Sequence, residues 1–430
     1  MTHGPACIIV ESQLSNFGLT PLTAARAQGF HTVLVSNDPD RYRINSSAAR
    51  VFAEDIDQII VADTNSPDSV EKSLGAVATD LGIAGIMTVT DYNLTVVADV
   101  AQRLGLPGLT PAAADRCRDK YLMREACAAA GVPSPARRHV TSESAAREAA
   151  ADLGLPCVIK PMTESASIGV KLCRTVNAVV DAFRGIASSP MNFRGQPRRP
   201  GALMEEYLLG CEVSVETVLV DGQRKVLGVT DKNLGSHPHF VETGDTFPSM
   251  LSAQAREACS SVAREALSAV GHDFGAAHVE VKLTAEGPRI VEVNGRMAGA
   301  EISLLIREAT GIDLRQQVVR MHAGLPVDLT PTRDRAAASR YLLAPRHGRL
   351  RTLHGVEFAQ RSPGVVEVDL EVELGDLVGP PENNLDLLGY VVASGDTTGD
   401  AVRRAESALG QLGLDIEDVE PATAASEPAS

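Results

Sequence analysis

Glu280 and Glu292 stand twelve residues apart on two strand-like runs, AHVEVKL and RIVEVNGR, with the turn-forming stretch Thr284 to Pro288 between them. A hairpin closing through a three-residue loop at 285–287 sets Glu280 opposite Glu292 and His278 opposite Asn294. Val279 then pairs with Val293, and Val281 with Val291, on the reverse face. Two carboxylates face to face destabilise a sheet and cannot both ionise comfortably unless a cation sits between them. Hard oxygen donors with an amide beside them suit Mg2+ or Mn2+, and Mg2+ held by one or two carboxylates usually also binds phosphates. A solvated acidic face is the competing reading, and the hairpin alone does not separate the two.

The elements that must position this pair fall into three groups. From Ala6 to about Pro111, short apolar runs (CIIVE, TVLVS, IIVAD, GIMTVT) alternate with helix-like segments near 19–28, 67–81 and 91–104, the pattern of a parallel α/β layer. A dinucleotide fingerprint after the first strand is missing, because ESQLSNFG does not supply G-x-G-x-x-G. A helix at about 119–130 ends in Ala130-Gly131-Val132-Pro133, a C-cap glycine followed by proline that marks a boundary. Strand-like runs then dominate 155–296, with Asp221-Gly222 as a hairpin signal and helices near 142–153, 176–187 and 253–270. The Pro/Gly/Arg-rich stretch 188–201 reads as a mobile surface loop. A third unit from about 330 carries the runs SRYLLA, VVEVDLEVEL and YVVAS and a helix near 398–412, before a Pro/Ala/Ser/Glu tail from 420 that reads as disordered. The fold class is α/β followed by α+β.

The net charge of −15 argues against a nucleic-acid or anionic-membrane surface, since either needs a basic patch, and points to small-molecule ligands. Seven singly scattered cysteines without a CxxC support neither a disulfide framework nor a thiolate zinc site, and a reducing, cytoplasmic setting fits best. No apolar run is long enough to span a bilayer.

Four further features accompany the acidic pair: Lys120 in DKYLMREA, Lys160 in CVIKP, the small-residue loop Thr163 to Val170, and MEEYLLGCE at 204–212. In this order, and with E-V-N-G-R at 292–296, they resemble the ATP-grasp superfamily, in which two α+β subdomains close over ATP. The resemblance runs from about 115 to 325. It implies an N-terminal pre-ATP-grasp α/β domain over 1–112, an ATP-grasp core over 113–328 with its lid at about 135–203, and a C-terminal α+β domain over 329–419. Lys120 and Lys160 match the phosphate-binding lysines, and a compact ammonium suits a triphosphate. The 163–170 loop matches the flap over the β- and γ-phosphates, using backbone N–H donors and the Ser165 and Ser167 hydroxyls, with Gly169 as its one glycine. Glu205, Glu206 and Leu208 match the adenine hinge, and Glu212 matches the acid that accepts from ribose hydroxyls. Glu280, Glu292 and Asn294 match the magnesium ligands, so hairpin and resemblance reach the same residues. Arg296 matches the arginine facing the transferred phosphoryl group. The turn through Gly299 opens a helix near 300–309 whose N-terminal amides would supplement the oxyanion site.

The segment 237–251, ATGIDL and the C-terminal stretch from PPENN resemble the carboxylate–amine ligases of the L-amino-acid ligase group. That resemblance implies ATP with Mg2+ (or Mn2+) as cofactors, and amino-acid or other carboxylate and amine substrates. The reaction would form an acyl phosphate and then an amide, in natural-product pathways, and a homodimer is compatible with it. His239 and Glu242 are the substrate-pocket candidates. The spacing of His237 and His239 also suits a metal, but no third ligand stands nearby. A biotin-carboxylase-like enzyme and a non-catalytic nucleotide-binding protein on the same fold are the alternatives. The first lacks support because a glycine-dense flap is absent, and the second because both acids, Asn294, both lysines and Arg296 are retained.

Overall fold

The first strand, Ala6–Val10, is apolar and buried along its whole length, as a strand covered on both faces must be. It pairs in parallel with His31–Ser36 on one side and Ile83–Met87 on the other, and Gln58–Val61 completes a four-stranded parallel sheet. The computed structural model describes residues 4–14, 16–42 and 46–419. The tail from 420, expected to be disordered, lies outside the described residues.

A second four-stranded sheet, antiparallel, is ordered Arg137–Val140, Ala202–Glu206, Cys157–Lys160, Lys171–Cys173. The helices Glu143–Leu153 and Val176–Ala187 pack with it around a small core that includes Ile159, Phe183 and Met204. A third, eight-stranded antiparallel sheet begins with Gly287–Asn294, Gly275–Thr284, Cys211–Val220, Gln223–Leu234 and Glu242–Phe247. It continues through Ala336–Leu342, Gly389–Gly395 and Val365–Leu370. Strands from both sides of residue 328 therefore share one ladder. The polar strand Gly348–His354 and the terminal Gly413–Glu417, neither of which stands out in the sequence, form a separate small sheet with Leu377–Val378. All seven cysteines are free, and six are buried.

Two hairpins of the large sheet differ in how closely they follow expectation. Asp221 and Gly222, both at positive φ, close a two-residue turn between Val220 and Gln223. In the acidic hairpin, His278, Val279 and Glu280 pair with Asn294, Val293 and Glu292 as expected. Beyond Glu280 the register shifts, so Val281 pairs with Ile290 and not with Val291, and the loop is Ala285-Glu286, between the paired Thr284 and Gly287. One residue fewer in the loop is offset by one extra residue at Val291, a β-bulge that preserves the facing of the two acids. The Val291 carbonyl accepts from Arg124 Nη2 at 2.7 Å.

The stretch 188–201, expected as a mobile surface loop, is a strap between units. Asn192 Oδ1 accepts from the N–H of Arg194 (3.0 Å) and Gln196 (2.9 Å), closing a tight turn. The turn drives the buried Arg194 into the N-terminal layer, where Nη1 lies 3.2 Å from Glu11 Oε2 and 3.3 Å from Tyr42 Oη, while Nη2 donates to the Ser12 carbonyl. Gln196 Nε2 donates to the Tyr92 carbonyl at 2.7 Å, and Arg198 pairs with Glu164. The polar composition was compatible with solvation, but these arginines meet buried carboxylates supplied by distant segments. Arg194→Ala leaves Glu11 buried without its cation, and losing one partner of a buried pair costs roughly 3–5 kcal/mol. The expected outcome is a lower unfolding midpoint together with faster protease cleavage inside 188–201; cleavage at the wild-type rate would return the segment to an independent loop.

Candidate functional site

The sheets converge on one cavity of about 530 Å³. The parallel layer contributes Asp91 and Tyr92 just past Ile83–Met87, and the helix Lys120–Ala129 contributes Lys120 and Arg124. The lid sheet and its loop bring Lys160, Ser165, Ser167, Glu205, Glu206 and Leu208. The large sheet and the turn beyond it add Glu212, Lys232, Glu242, Glu280, Glu292, Asn294, Arg296 and Gly299.

Among the candidate site residues named from sequence, His237, His239 and Gly169 do not line this space. His239 is displaced by its neighbour Phe240, which lines the cavity while the Pro238 carbonyl accepts from the Leu172 N–H at 3.0 Å and holds the segment against the lid. Gly169 is a turn residue at φ +73 whose missing Cβ lets the loop pack on Pro161, leaving Ile168 and Val170 to face inward. Gly299 does line the cavity, and an added Cβ there would sit 2.7 Å from Gln13 Nε2.

Charges in the cavity are interleaved. Lys120 Nζ lies 2.8 Å from Glu292 Oε1 and donates to the Glu164 carbonyl at 2.7 Å. Lys160 Nζ lies 2.7 Å from Glu205, which also takes Arg124 Nε at 2.6 Å. Burial would raise the Glu205 carboxyl, but Arg124 and Lys160 hold it down at about 2; burial and Arg124 lower the Lys160 ammonium. Lys232 bridges Glu242 (2.8 Å) and Glu280 (2.7 Å), and Lys282 pairs with Glu212 at 3.1 Å. Glu206 pairs with Arg289. The two acids of the hairpin are thus each supplied with a separate ammonium. Among the described residues no three His, Cys, Asp or Glu side chains gather as a metal cluster. Glu280, Glu292 and Asn294 fit a hard divalent cation that shares phosphate oxygens, because such an ion needs only one or two carboxylates from the protein.

The 163–170 loop is docked. Ser165 Oγ donates to Asp91 Oδ2 at 2.7 Å, Ser167 Oγ donates to the Phe240 carbonyl at 3.0 Å, and the Asn384 N–H donates to the Ala166 carbonyl at 3.0 Å. Ala166 and Ser167 both take positive φ (55° and 61°), so the loop turns through small non-glycine residues, a strain found most often at binding sites. Asp91 also receives Arg296 Nε at 2.7 Å and pairs with Nη2, while Nη1 donates to the Met297 carbonyl at 2.9 Å. Burial opposes ionisation of Asp91, but Arg296 holds its carboxyl down at about 2.

Asp91, Arg124 and Lys232 escaped the sequence reading. Asp91 carried a usable signal, since ligands bind beyond the carboxyl ends of parallel strands. Arg124 carried another, lying four residues after Lys120 on one helix face. Lys232 had none, being one lysine in a polar strand.

His278, opposite Asn294 as expected, sets its Nδ1 2.9 Å from Glu216 Oε1 and its Nε2 3.5 Å from Glu280 Oε1. Burial would depress it, but Glu216 and then Glu280 raise it from 6.5 to about 10. A raised folded-state value contributes stability that is complete below the ordinary value of 6.5 and lost as the pH rises through about 10. The stability gap between wild type and His278→Gln, measured by denaturant melts, should therefore narrow between those limits. A constant gap would mean that the imidazole carries no extra proton.

Comparison with known proteins follows the same division of the chain. Sequence profiles match an ATP-grasp N-terminal domain at 22–108, an ATP-grasp domain at 153–303 and an L-amino acid ligase C-terminal domain 2 at 340–417. The uncharacterised protein y4rH of Sinorhizobium fredii is 30% identical over 388 residues, covering 90% of this chain and 78% of that protein. Alanine–anticapsin ligase of Bacillus subtilis is 28% identical over 59% of this chain, and human carnosine synthase 1 is 28% identical over 73%. The match spans 57% of the former's length and 39% of the latter's. The crystal structure of an L-amino acid ligase from Bacillus licheniformis superposes with a TM-score of 0.80 at 19% identity, covering 97% of this chain and all of that one. The chain belongs to the ATP-grasp superfamily, within its L-amino-acid-ligase type of ATP-dependent, amide-forming carboxylate–amine ligases.

Proposed function

We propose that this protein joins an amino acid, or a related carboxylic acid, to an amino acid or another amine, in the making of a small peptide-like natural product. The observation that carries this reading is the meeting of Glu280, Glu292 and Asn294 with Lys120, Lys160 and Arg296 around one cavity. The C-terminal match to L-amino acid ligases favours it over a carboxylase.

In this reading Lys120 and Lys160 bind the phosphates of ATP as point charges, and the backbone N–H groups of 163–170 cover them. Glu205 to Leu208 flank the adenine, and Glu212 accepts from the ribose hydroxyls. Glu280, Glu292 and Asn294 would hold Mg2+ or Mn2+, which would supply charge neutralisation for the phosphates. The substrate carboxylate attacks the γ-phosphorus, ADP leaves, and the amine attacks the resulting acyl phosphate to give amide and phosphate. Arg296, oriented by Asp91, faces the transferred phosphoryl group, and Glu242 and the backbone at Gly299 border the acyl substrate. The protein's contribution is positioning and charge placement.

Screening acid–amine pairs for ADP and phosphate release, with mass detection of the product, tests the reading; no release with any pair overturns it. Given an active pair, Glu280→Gln and Glu292→Gln should each abolish turnover with the fold intact, and wild-type rates at all Mg2+ concentrations would remove both from the metal. Arg296→Ala should lower kcat by about 10²–10³ with little change in ATP binding, the signature of a contact made in the transition state. Arg296→Lys should recover only part, having lost the planar two-point contact. Weak ATP binding at normal kcat would move Arg296 into the nucleotide site.

A further inference from the structure

Next to Gly299 the cavity wall is formed by Glu301, Glu371, Tyr341 and Tyr390. Glu301 is only 3% exposed, and its Oε2 has no hydrogen-bond partner. It precedes the helix Ile302–Thr310, yet its side chain does not cap that helix. Among the described residues no ion pair holds Glu301, in contrast to Glu242, Glu280 and Glu292. Behind it stands Asp245, fully buried, with Oδ1 unpartnered and Oδ2 accepting from the Tyr341 hydroxyl at 2.8 Å.

Among the described residues the cations nearby are committed elsewhere. Lys232 is held by Glu242 and Glu280, and Arg315 faces Asp313, Glu367 and Tyr390. Glu371 and Asp245 face Glu301 as like charges, Tyr341 and the backbone N–H of Glu301 itself are its hydrogen-bonding neighbours, and Glu367 and Asp369 add negative charge beyond Tyr390. Glu301 Oε2 is thus a buried acceptor at the cavity wall, and a donor carried by a ligand would satisfy it.

We propose that Glu301 receives a cationic amine of the substrate, making it a specificity-determining residue for ammonium-bearing acids. The inference rests on the ligase reading of the cavity. Burial and then the Glu371 charge raise the Glu301 carboxyl well above the usual range, and an arriving ammonium would favour its ionised form. The ammonium is either the α-amine of the acyl substrate or the side-chain amine of a basic amino acid.

The test is calorimetric binding to the full chain with Mg2+ and a non-hydrolysable ATP analogue, using L-alanine, propionate, L-lysine and L-norleucine. A charge-assisted contact predicts at least about tenfold preference within one matched pair. Alanine over propionate identifies the α-amine, and lysine over norleucine identifies the side chain. Glu301→Gln should bring the ratio towards one. Glu371→Gln should reduce the ratio less, and it carries the test if the first variant does not fold. Ratios near one in the wild type, including no binding of any probe, or a ratio unchanged in the folded variants, overturn the proposal. ADP release without discrimination would leave the ligase standing and remove the amine site. Discrimination without ADP release from any pair would do the reverse.

Discussion

A carboxylate taken out of water needs a cation close by, and most acids lining this cavity have one supplied from a different segment of the chain. Arg124 and Lys160 meet on Glu205, tying the helix Lys120–Ala129 and the lid strand Cys157–Lys160 to Ala202–Glu206. Lys120 joins the same helix to Glu292, and Lys232 joins Glu242 to Glu280 across the large sheet. These pairs hold the geometry of the site. They also prepare it for exchange: in the proposed reaction Lys120 and Lys160 would turn to a polyphosphate, and Glu280 and Glu292 would hold a divalent cation in their place.

The bulge at Val291 shows how backbone and charge are coupled. A regular ladder would spend the Val291 carbonyl on a strand partner; here it accepts from Arg124, the residue that also grips Glu205. The acidic hairpin is thereby fixed to the same helix that presents Lys120. Glu280 and Glu292 remain opposite each other because the shorter loop and the extra residue cancel.

The parallel layer carries no nucleotide fingerprint, yet it is part of the site. Asp91 gathers Arg296 and Ser165, and Tyr92 donates its hydroxyl to Glu164 at 2.7 Å. Arg194 returns the connection from the lid side, through Glu11 and Ser12. The N-terminal unit therefore orients both the arginine proposed for phosphoryl transfer and the loop proposed to cover the phosphates.

Local chemistry was legible in the sequence wherever a short segment decides its own structure. Apolar runs marked most of the strands, Asp221-Gly222 marked its turn, and Val176–Ala187 matched its helix to the residue. The facing of Glu280, Glu292, His278 and Asn294 followed from period-two alternation, although the loop and the bulge behind it did not. The order of the lysines, the small-residue loop and E-V-N-G-R carried the family, because each motif is contiguous. What tertiary structure alone decided is which charges become partners. The destination of Arg194, the double grip of Lys232 and the docking of Ser165 on Asp91 join residues tens to hundreds of positions apart. The membership of 336–395 in the large sheet was settled the same way. A charged residue in a polar stretch reads the same whether it ends in water or in a buried pair. Only the approach of distant segments, which local propensity does not encode, separates the two outcomes.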